Sequence, residues 1–358
     1  MPVVTPQDGP VAVTGASGYV GSHVVRALLD LGYTVHACVT DPTNPEKVDH
    51  LKGMTDASGG RVDIFRGNLL EEGSYDEPFA GCVAVLHVGT AMAYGGANDS
   101  RQVYEGAVDG TRNVLRSLTR SGTVKRFVYT SSFAAIGHPA PPGYVFTEDD
   151  WASQNREQDE NWSLDRIDVN GETAYAMAKV ETEHLVYRSA EEDGRFDAMS
   201  VCPLVVLGPL LCPSHHLVFS WQWFLGRMLR GKECKRAWQA LWNVVDVRDV
   251  GRAHALILGN AACRNGRRYQ LSATDASGEL DVGELQARLK RLFPGVDVGG
   301  APAEMEAYLE KHGRVWDGPR AHCDRARAEL GLETHAIDDT LRETGRTLID
   351  LGLIEPAR

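Results

Sequence analysis

Between Val11 and Gly21 the chain reads Val-Ala-Val-Thr-Gly-Ala-Ser-Gly-Tyr-Val-Gly, a short apolar run followed by glycines at positions 15, 18 and 21. An apolar-periodic segment with Val24, Val25, Leu28 and Leu29 continues to Gly32. The pattern predicts a strand, a tight turn and a helix. Glycines at such a turn let backbone approach a pyrophosphate, and the N–H groups and positive dipole end of the new helix face its negative charge. The expected ligand is a dinucleotide. The spacing Gly-x-x-Gly-x-x-Gly differs from the Gly-x-Gly-x-x-Gly fingerprint, so the inference rests on the strand before the turn and the helix after it.

The rest of the first half repeats that alternation. Strands are predicted at Thr34–Thr40, Arg61–Arg66, Cys82–Val88 and Phe127–Ser131, with helices over 46–52 and Glu105–Thr119. Cys82–Val88 is apolar throughout, as parallel strands are when helices cover both faces. These are right-handed βαβ units in one doubly wound parallel sheet, an α/β fold. A long connection, Pro139–Asn170, is Pro-rich and then acidic, and its length and charge suggest either a functional or mobile segment such as a lid or a solvated loop. A helix over Glu172–Glu192 and strands at Ala198–Cys202 and within Pro203–Pro209 follow. Beyond them the alternation dissolves into an aromatic and basic stretch, 217–242. Val244–Val247 reads as a strand, Asp249 as the N-cap of a helix over Val250–Leu258, and Arg268–Ser272 as a further strand. Amphipathic segments around Asp281–Leu292 and Thr340–Leu351 close the chain. We expect residues 1–206 and 244–273 to form the dinucleotide-binding domain and 207–243 and 274–358 a smaller substrate-binding one.

Composition removes several alternatives. A net charge of −12 over 358 residues, with no Lys/Arg cluster, argues against nucleic acid or an anionic membrane as partner. Seven scattered cysteines without a Cys-x-x-Cys pair suggest neither a disulfide framework nor a zinc knuckle, and fit a reducing cytoplasm. We expect neither a targeting peptide nor a membrane anchor. The twelve histidines lack His-Glu-x-x-His spacing, so no metal is expected, and His215-His216 reads as a polar loop.

The second informative stretch is Tyr175-Ala-Met-Ala-Lys179. A spacing of four puts both side chains on one helical face. A free phenol has a pKa of about 10, and a neighbouring ammonium stabilises the phenolate, moving it toward the range a general acid or base needs. Thr130-Ser131-Ser132 supplies hydroxyls at the end of the fifth strand, the edge where ligands bind in open α/β sheets.

With these residues in place the chain resembles the extended short-chain dehydrogenase/reductases, and within them the dihydroflavonol-reductase and carbonyl-reductase branch. The resemblance covers nearly the whole chain and is carried by Thr14–Gly21, Asp109–Leu115, Val124–Ser132, Tyr175–Lys179 and Pro203–Pro209. It implies a catalytic triad of Ser132, Tyr175 and Lys179, with Ser131 as the alternative serine. Hydride would pass from a reduced nicotinamide to a carbonyl carbon while Tyr175 donates a proton to the oxygen. Ser132 would hydrogen-bond the developing alkoxide, and Lys179 would lower the Tyr175 pKa and hold a ribose hydroxyl. Cofactor contacts are implied for Gly15, Ser17, Gly18, Tyr19, Val20, Thr40, Lys47, Asn68, Leu69, Val88, Gly89, Thr90, Thr130, Ser131, Tyr175, Lys179, Pro203, Val205 and Val206.

The choice between NAD and NADP turns on the end of the second strand. Asp41, twenty residues past Gly21, stands where an acid selects NAD. NADP-dependent relatives carry Arg-Asp-Pro there, and this chain has Thr40-Asp41-Pro42, with Lys47 as a second phosphate ligand and His36 able to assist. NADP is preferred and NAD is the alternative. Met92, Tyr94, Phe133, Ile136 and the 217–242 segment, including Trp221, are expected to line the substrate space, which favours an aromatic or apolar carbonyl compound. Relatives that recognise dihydroflavonols often place an asparagine five residues past the serine, where this chain has Gly137, which argues against a flavonoid reductase as such. The rival readings are a nucleotide-sugar epimerase or dehydratase that retains NAD, with Arg227, Arg230, Lys232, Lys235 and Arg236 for a diphosphate, a 3β-hydroxysteroid dehydrogenase-like enzyme, and a non-enzymatic NADP-binding redox sensor. Relatives occur as monomers and as homodimers formed through the helices at 102–120 and 172–192.

Overall fold

The computed structural model describes residues 3–54, 60–90, 100–141, 143–163, 165, 171–234, 242–273, 279–280, 282–303, 307 and 320–357. Its centre is a sheet of seven parallel strands: β1 (Val11–Thr14), β2 (Thr34–Val39), β3 (Arg61–Arg66), β4 (Ala84–His87), β5 (Arg126–Thr130), β7 (Asp197–Pro203) and β10 (Arg267–Leu271), in the order 3-2-1-4-5-7-10. The order reverses between β1 and β4, and ligands bind in the crevice at such a switch point. All residues of β1, β4 and β5 are buried, because helices cover both faces.

On one face α1 (Tyr19–Asp30) packs against α7 (Val247–Gly259) through Val24, Val25, Leu28, Val250, Ala253 and Ile257. On the other, α3 (Asp76–Phe79), α4 (Ser100–Ser121) and α5 (Gly171–Asp193) bury Phe79, Val114, Leu118, Val186 and Ala190. α2 (Pro45–Lys52), capped by the Asn44 side chain, follows β2. A separate core containing Leu207, Phe224, Met228, Val244, Leu285, Leu341 and Leu348 belongs to the smaller unit. It comprises β8 (Val205–Leu207), α6 (Trp221–Leu229), β9 (Trp242–Asp246), β11 (Glu279–Leu280), α8 (Val282–Leu292) and α10 (Ile337–Asp350).

Packing divides the chain differently from the sequence expectation in two places. β9 pairs with β8 and β11 in the small sheet, although α7 and β10 lie in the large unit. Residues around α9 (Asp324–Leu330) return to the large unit, where Cys323, Ala326, Leu330 and Leu332 join its core. The cap of α7 is Asp246, whose carboxylate accepts the Arg248 N–H, and not Asp249, which is buried and bonded to His335.

The acidic connection, where described, is anchored rather than lid-like. β6 (Val145–Phe146) pairs with β12 (Arg320–Ala321), Trp151 stacks on His184 at 4.3 Å, and Glu148 and Asp150 are buried. Among the described residues no helix is long and apolar enough to cross a membrane.

Candidate active site

The glycine turn lies at the switch point, and two of its glycines are sterically required. Gly15 has φ +64°, and a Cβ there would lie 2.6 Å from the Cα of Gly89, at the end of the neighbouring β4. A Cβ on Gly21 would lie 2.1 Å from the Gly15 carbonyl oxygen. Gly18 is the N-cap of α1 and brings no side chain to its first N–H groups. A close backbone approach and a helix start free of side-chain caps suit a dinucleotide pyrophosphate. The Tyr19 hydroxyl donates to the Gly208 carbonyl at 2.9 Å, so its side chain ties the turn to the smaller unit and leaves the backbone for a ligand. Ser17 and Val20 are half-buried beside it.

At the end of β2, Thr40 and Lys47 are exposed. Asp41 Oδ1 accepts from the Thr43 backbone N–H at 2.9 Å and the Thr43 hydroxyl at 2.6 Å, bonds that hold its carboxyl below the usual range, with Lys47 adding to the effect. Asp41 thus closes its own turn. His36 cannot assist a phosphate there, contrary to the sequence expectation. It sits mid-strand, 2.7 Å from the Pro78 carbonyl oxygen, with its ring 4.6 Å from that of Phe65. Asn68 Oδ1 accepts the Leu70 N–H at 3.1 Å, and Leu69 is half-buried against the stretch that carries Gly89.

Lys179 is 2 % exposed on α5. Its ammonium donates to the Thr130 carbonyl at 2.9 Å, the Tyr129 hydroxyl at 3.1 Å and the Thr90 hydroxyl at 3.2 Å. Burial lowers its pKa to about 8, against the opposing pull of Glu183. Three oxygens therefore fix the charge at the C-terminal ends of β4 and β5. Tyr175, half-buried one turn earlier, has its ring centroid 5.7 Å from Lys179 Nζ.

The two serines after β5 differ. Ser131 is buried, and its hydroxyl donates to Glu183 Oε1 at 2.5 Å. Ser132 is half-buried and caps the 3-10 turn Phe133–Ala135, accepting the Ala134 N–H at 3.2 Å, which leaves its hydroxyl proton available. The Thr130 side chain is also committed. His254 Nδ1 faces the Val250 carbonyl at 2.7 Å and so carries the proton, which leaves Nε2 to accept the Thr130 hydroxyl at 2.7 Å.

Behind this surface lies a network that the sequence reading missed. Arg268 donates from Nε to Glu183 Oε2 at 2.8 Å and from Nη2 to Glu183 Oε1 at 3.1 Å. Its Nη1 donates to the Glu148 and Asp150 carbonyls at 3.0 and 2.6 Å, and the guanidinium lies 3.9 Å from the Trp151 ring centroid. The Tyr187 hydroxyl donates to Glu183 Oε2 at 2.9 Å. The only sequence signal for it is the continuation Tyr175, Lys179, Glu183 at intervals of four.

The expected substrate residues separate. Met92 and Tyr94 lie outside the described residues, as do Lys235 and Arg236. Phe133 is half-buried and meets Phe146 edge-on at 5.5 Å, whereas Ile136 has no accessible surface and packs as core against Phe146 and Cys202. Trp221 opens α6, with its ring 6.3 Å from that of Phe224. Pro203 ends β7 and Val205 and Val206 lie in β8, on the path from the large unit to the small one. Leu217, Val218 and Phe219 are exposed in succession just before α6, and Phe219 adopts φ 66°, a strained conformation for a bulky residue.

The model of the NAD dependent epimerase/dehydratase family matches residues 11–272. Cinnamoyl-CoA reductase CAD2 of Medicago truncatula is 31% identical over 343 residues, covering 94% of this chain and 95% of the relative. Dihydroflavonol 4-reductase of Hordeum vulgare is 36% identical over 203 residues, 57% of this chain and 54% of the relative. Among solved structures, Gre2 of Candida albicans in complex with NADPH superposes with a TM-score of 0.76 at 22% identity, covering 96% of this chain and 99% of that one.

Proposed function

The chain belongs to the NAD dependent epimerase/dehydratase family, and from that premise we propose that it is an NADP-dependent reductase acting on the ketone or aldehyde group of a small aromatic or apolar molecule, with Ser132, Tyr175 and Lys179 as its catalytic residues. The observation that carries the reading is the buried Lys179 ammonium, held by Thr90, Tyr129 and Thr130 one helical turn from Tyr175.

The dinucleotide supplies the hydride when bound. The chain's own residues handle the proton. Tyr175 gives its phenolic proton to the carbonyl oxygen, the nearby ammonium stabilises the phenolate left behind, and solvent later restores the proton. Ser132 offers its hydroxyl to the oxygen as negative charge builds there. The turn at Gly15–Val20, Val88–Thr90, Asn68–Leu69, the backbone of Thr130 and Ser131, and Pro203, Val205 and Val206 would hold the cofactor. The self-contained Asp41 turn and the exposed Lys47 favour a 2′-phosphate over a 2′-hydroxyl.

For the substrate, Phe133, Trp221 and the exposed Leu217–Phe219 run form the apolar wall. A Cβ at Gly137 would meet the Phe133 ring at 3.0 Å, so Phe133 already fills the space of a longer side chain there, in keeping with a substrate other than a dihydroflavonol. Cinnamoyl-CoA reductase and dihydroflavonol reductase among the relatives support an aromatic carbonyl compound.

The test is a reductase screen of aromatic aldehydes and ketones with NADPH and NADH side by side. Turnover with preference for NADPH is expected, and Lys47→Ala should weaken NADPH several-fold more than NADH. Silence across the panel together with NAD retained through purification would replace this reading by the sugar-nucleotide epimerase or dehydratase.

A further inference from the structure

Behind the glycine turn, α2 meets the segment that leaves β8, and three side chains with metal-binding donor atoms converge there. His50, Cys212 and His215 each place one such atom within 4.8 Å of the other two. Cys212 and His215 are buried and His50 is half-buried. The two elements are held together independently of the cluster, since the Ser214 hydroxyl donates to the Glu46 carbonyl at 3.3 Å. Cys212-Pro-Ser-His215 forms one 3-10 turn, a Cys-x-x-His spacing that carries both donors on a single loop, and α2 supplies the third.

Local hydrogen bonds leave His50 Nδ1 without a partner, reach the Cys212 thiol only from Ser214, and engage both His215 nitrogens only at a long 3.3 Å. His50 Nε2 lies 2.9 Å from the Ser22 hydroxyl, whereas its Nδ1 is buried without a partner. Cys212 is a free thiol, 3.2 Å from the Ser214 hydroxyl. His215 Nδ1 accepts the Leu211 N–H at a long 3.3 Å, and Nε2 lies 3.3 Å from both the Ser22 hydroxyl and the Ser17 carbonyl oxygen. The two rings meet edge to face at 5.1 Å. Ligand atoms around a tetrahedral zinc stand roughly 3.3–3.8 Å apart, so rotamer adjustments of about 1 Å close the site.

We propose that His50, Cys212 and His215 form a three-ligand site for a thiophilic divalent cation, Zn2+, with the fourth position open to water or an added ligand. Two nitrogens and one sulfur suit zinc, and bound Zn2+ would pin α2 to the loop after β8. The site lies apart from Ser132, Tyr175 and Lys179 and has no part in the hydride chemistry, so it stands or falls separately from the reductase reading.

The experiment is a Co2+ titration of the untagged, reduced full-length protein, followed by displacement with Zn2+. One equivalent of Co2+ should give a thiolate-to-metal charge-transfer band and the visible bands of a tetrahedral site, both lost on adding one equivalent of Zn2+. Cys212→Ser should abolish the charge-transfer band. His50→Gln, on the half-buried face of α2, should weaken Zn2+ at least tenfold and cancel the rise in Tm that Zn2+ gives the parent protein. Absence of the band at one equivalent, or the same band in Cys212→Ser, overturns the proposal. If Cys212→Ser does not fold, unchanged Zn2+ affinity in His50→Gln is decisive against it.

Discussion

Two stretches of α5, one turn apart, handle polar groups in opposite ways. At Tyr175 and Lys179 the charge is fixed from behind by three oxygens while the phenol stays half-buried. At Glu183 the carboxylate is fully buried and enclosed by Ser131, Tyr187 and Arg268. The first arrangement sets a half-buried phenol one turn from a fixed charge; the second encloses its carboxylate and joins β5, α5, β10 and the acidic connection. Closely spaced polar residues on one helix therefore divide into chemistry and scaffold according to whether the group that would react keeps accessible surface.

Two substitutions would break or sharpen that division most strongly. Tyr175→Phe deletes the proton donor and should lower kcat about 10²–10⁴-fold, with NADPH affinity nearly unchanged in a fluorescence titration. Retained turnover would remove the tyrosine from its role. Arg268→Met, in contrast, leaves the Glu183 charge buried without its partner and should cost about 3–5 kcal/mol in denaturant unfolding. A loss of activity with undiminished stability would place Arg268 among the reacting groups instead.

A smaller effect concerns pH. Burial sets Lys179 at about 8, so its ammonium is present below that pH and is lost as the pH rises through it. Because a protonated Lys179 is what stabilises the phenolate, kcat/KM for reduction should fall on a basic limb near pH 8. Lys179→Arg, charged throughout this range, should flatten that limb even as it lowers the maximum.

The sequence made one side of the division legible. The glycine turn and Tyr175–Lys179 are local patterns whose spacing alone fixes what meets what, and the first five strands of the large sheet follow from periodicity. The scaffold side was illegible because its partners are remote. Glu183 meets Arg268 across 85 residues, so the difference between Ser131 and Ser132 depends on a strand far downstream. His50 reaches Cys212 and His215 only through tertiary packing, and no spacing rule connects them. The cap of α7 was misplaced by one turn, from Asp246 to Asp249, because both aspartates precede an apolar run and only packing tells them apart. The acidic connection looked solvated because its charge was visible and its partners Arg268 and Arg325 were not.

The adjacent serines test the central claim most directly. Ser132→Ala and Ser131→Ala are compared in parallel for kcat and for unfolding free energy. Ser132→Ala should lower kcat about 10²–10³-fold while costing about 1 kcal/mol or less as a lost cap. Ser131→Ala should cost about 1–3 kcal/mol and leave kcat within a few-fold of the parent. The reverse pattern, turnover lost at Ser131 and kept at Ser132, would contradict the account.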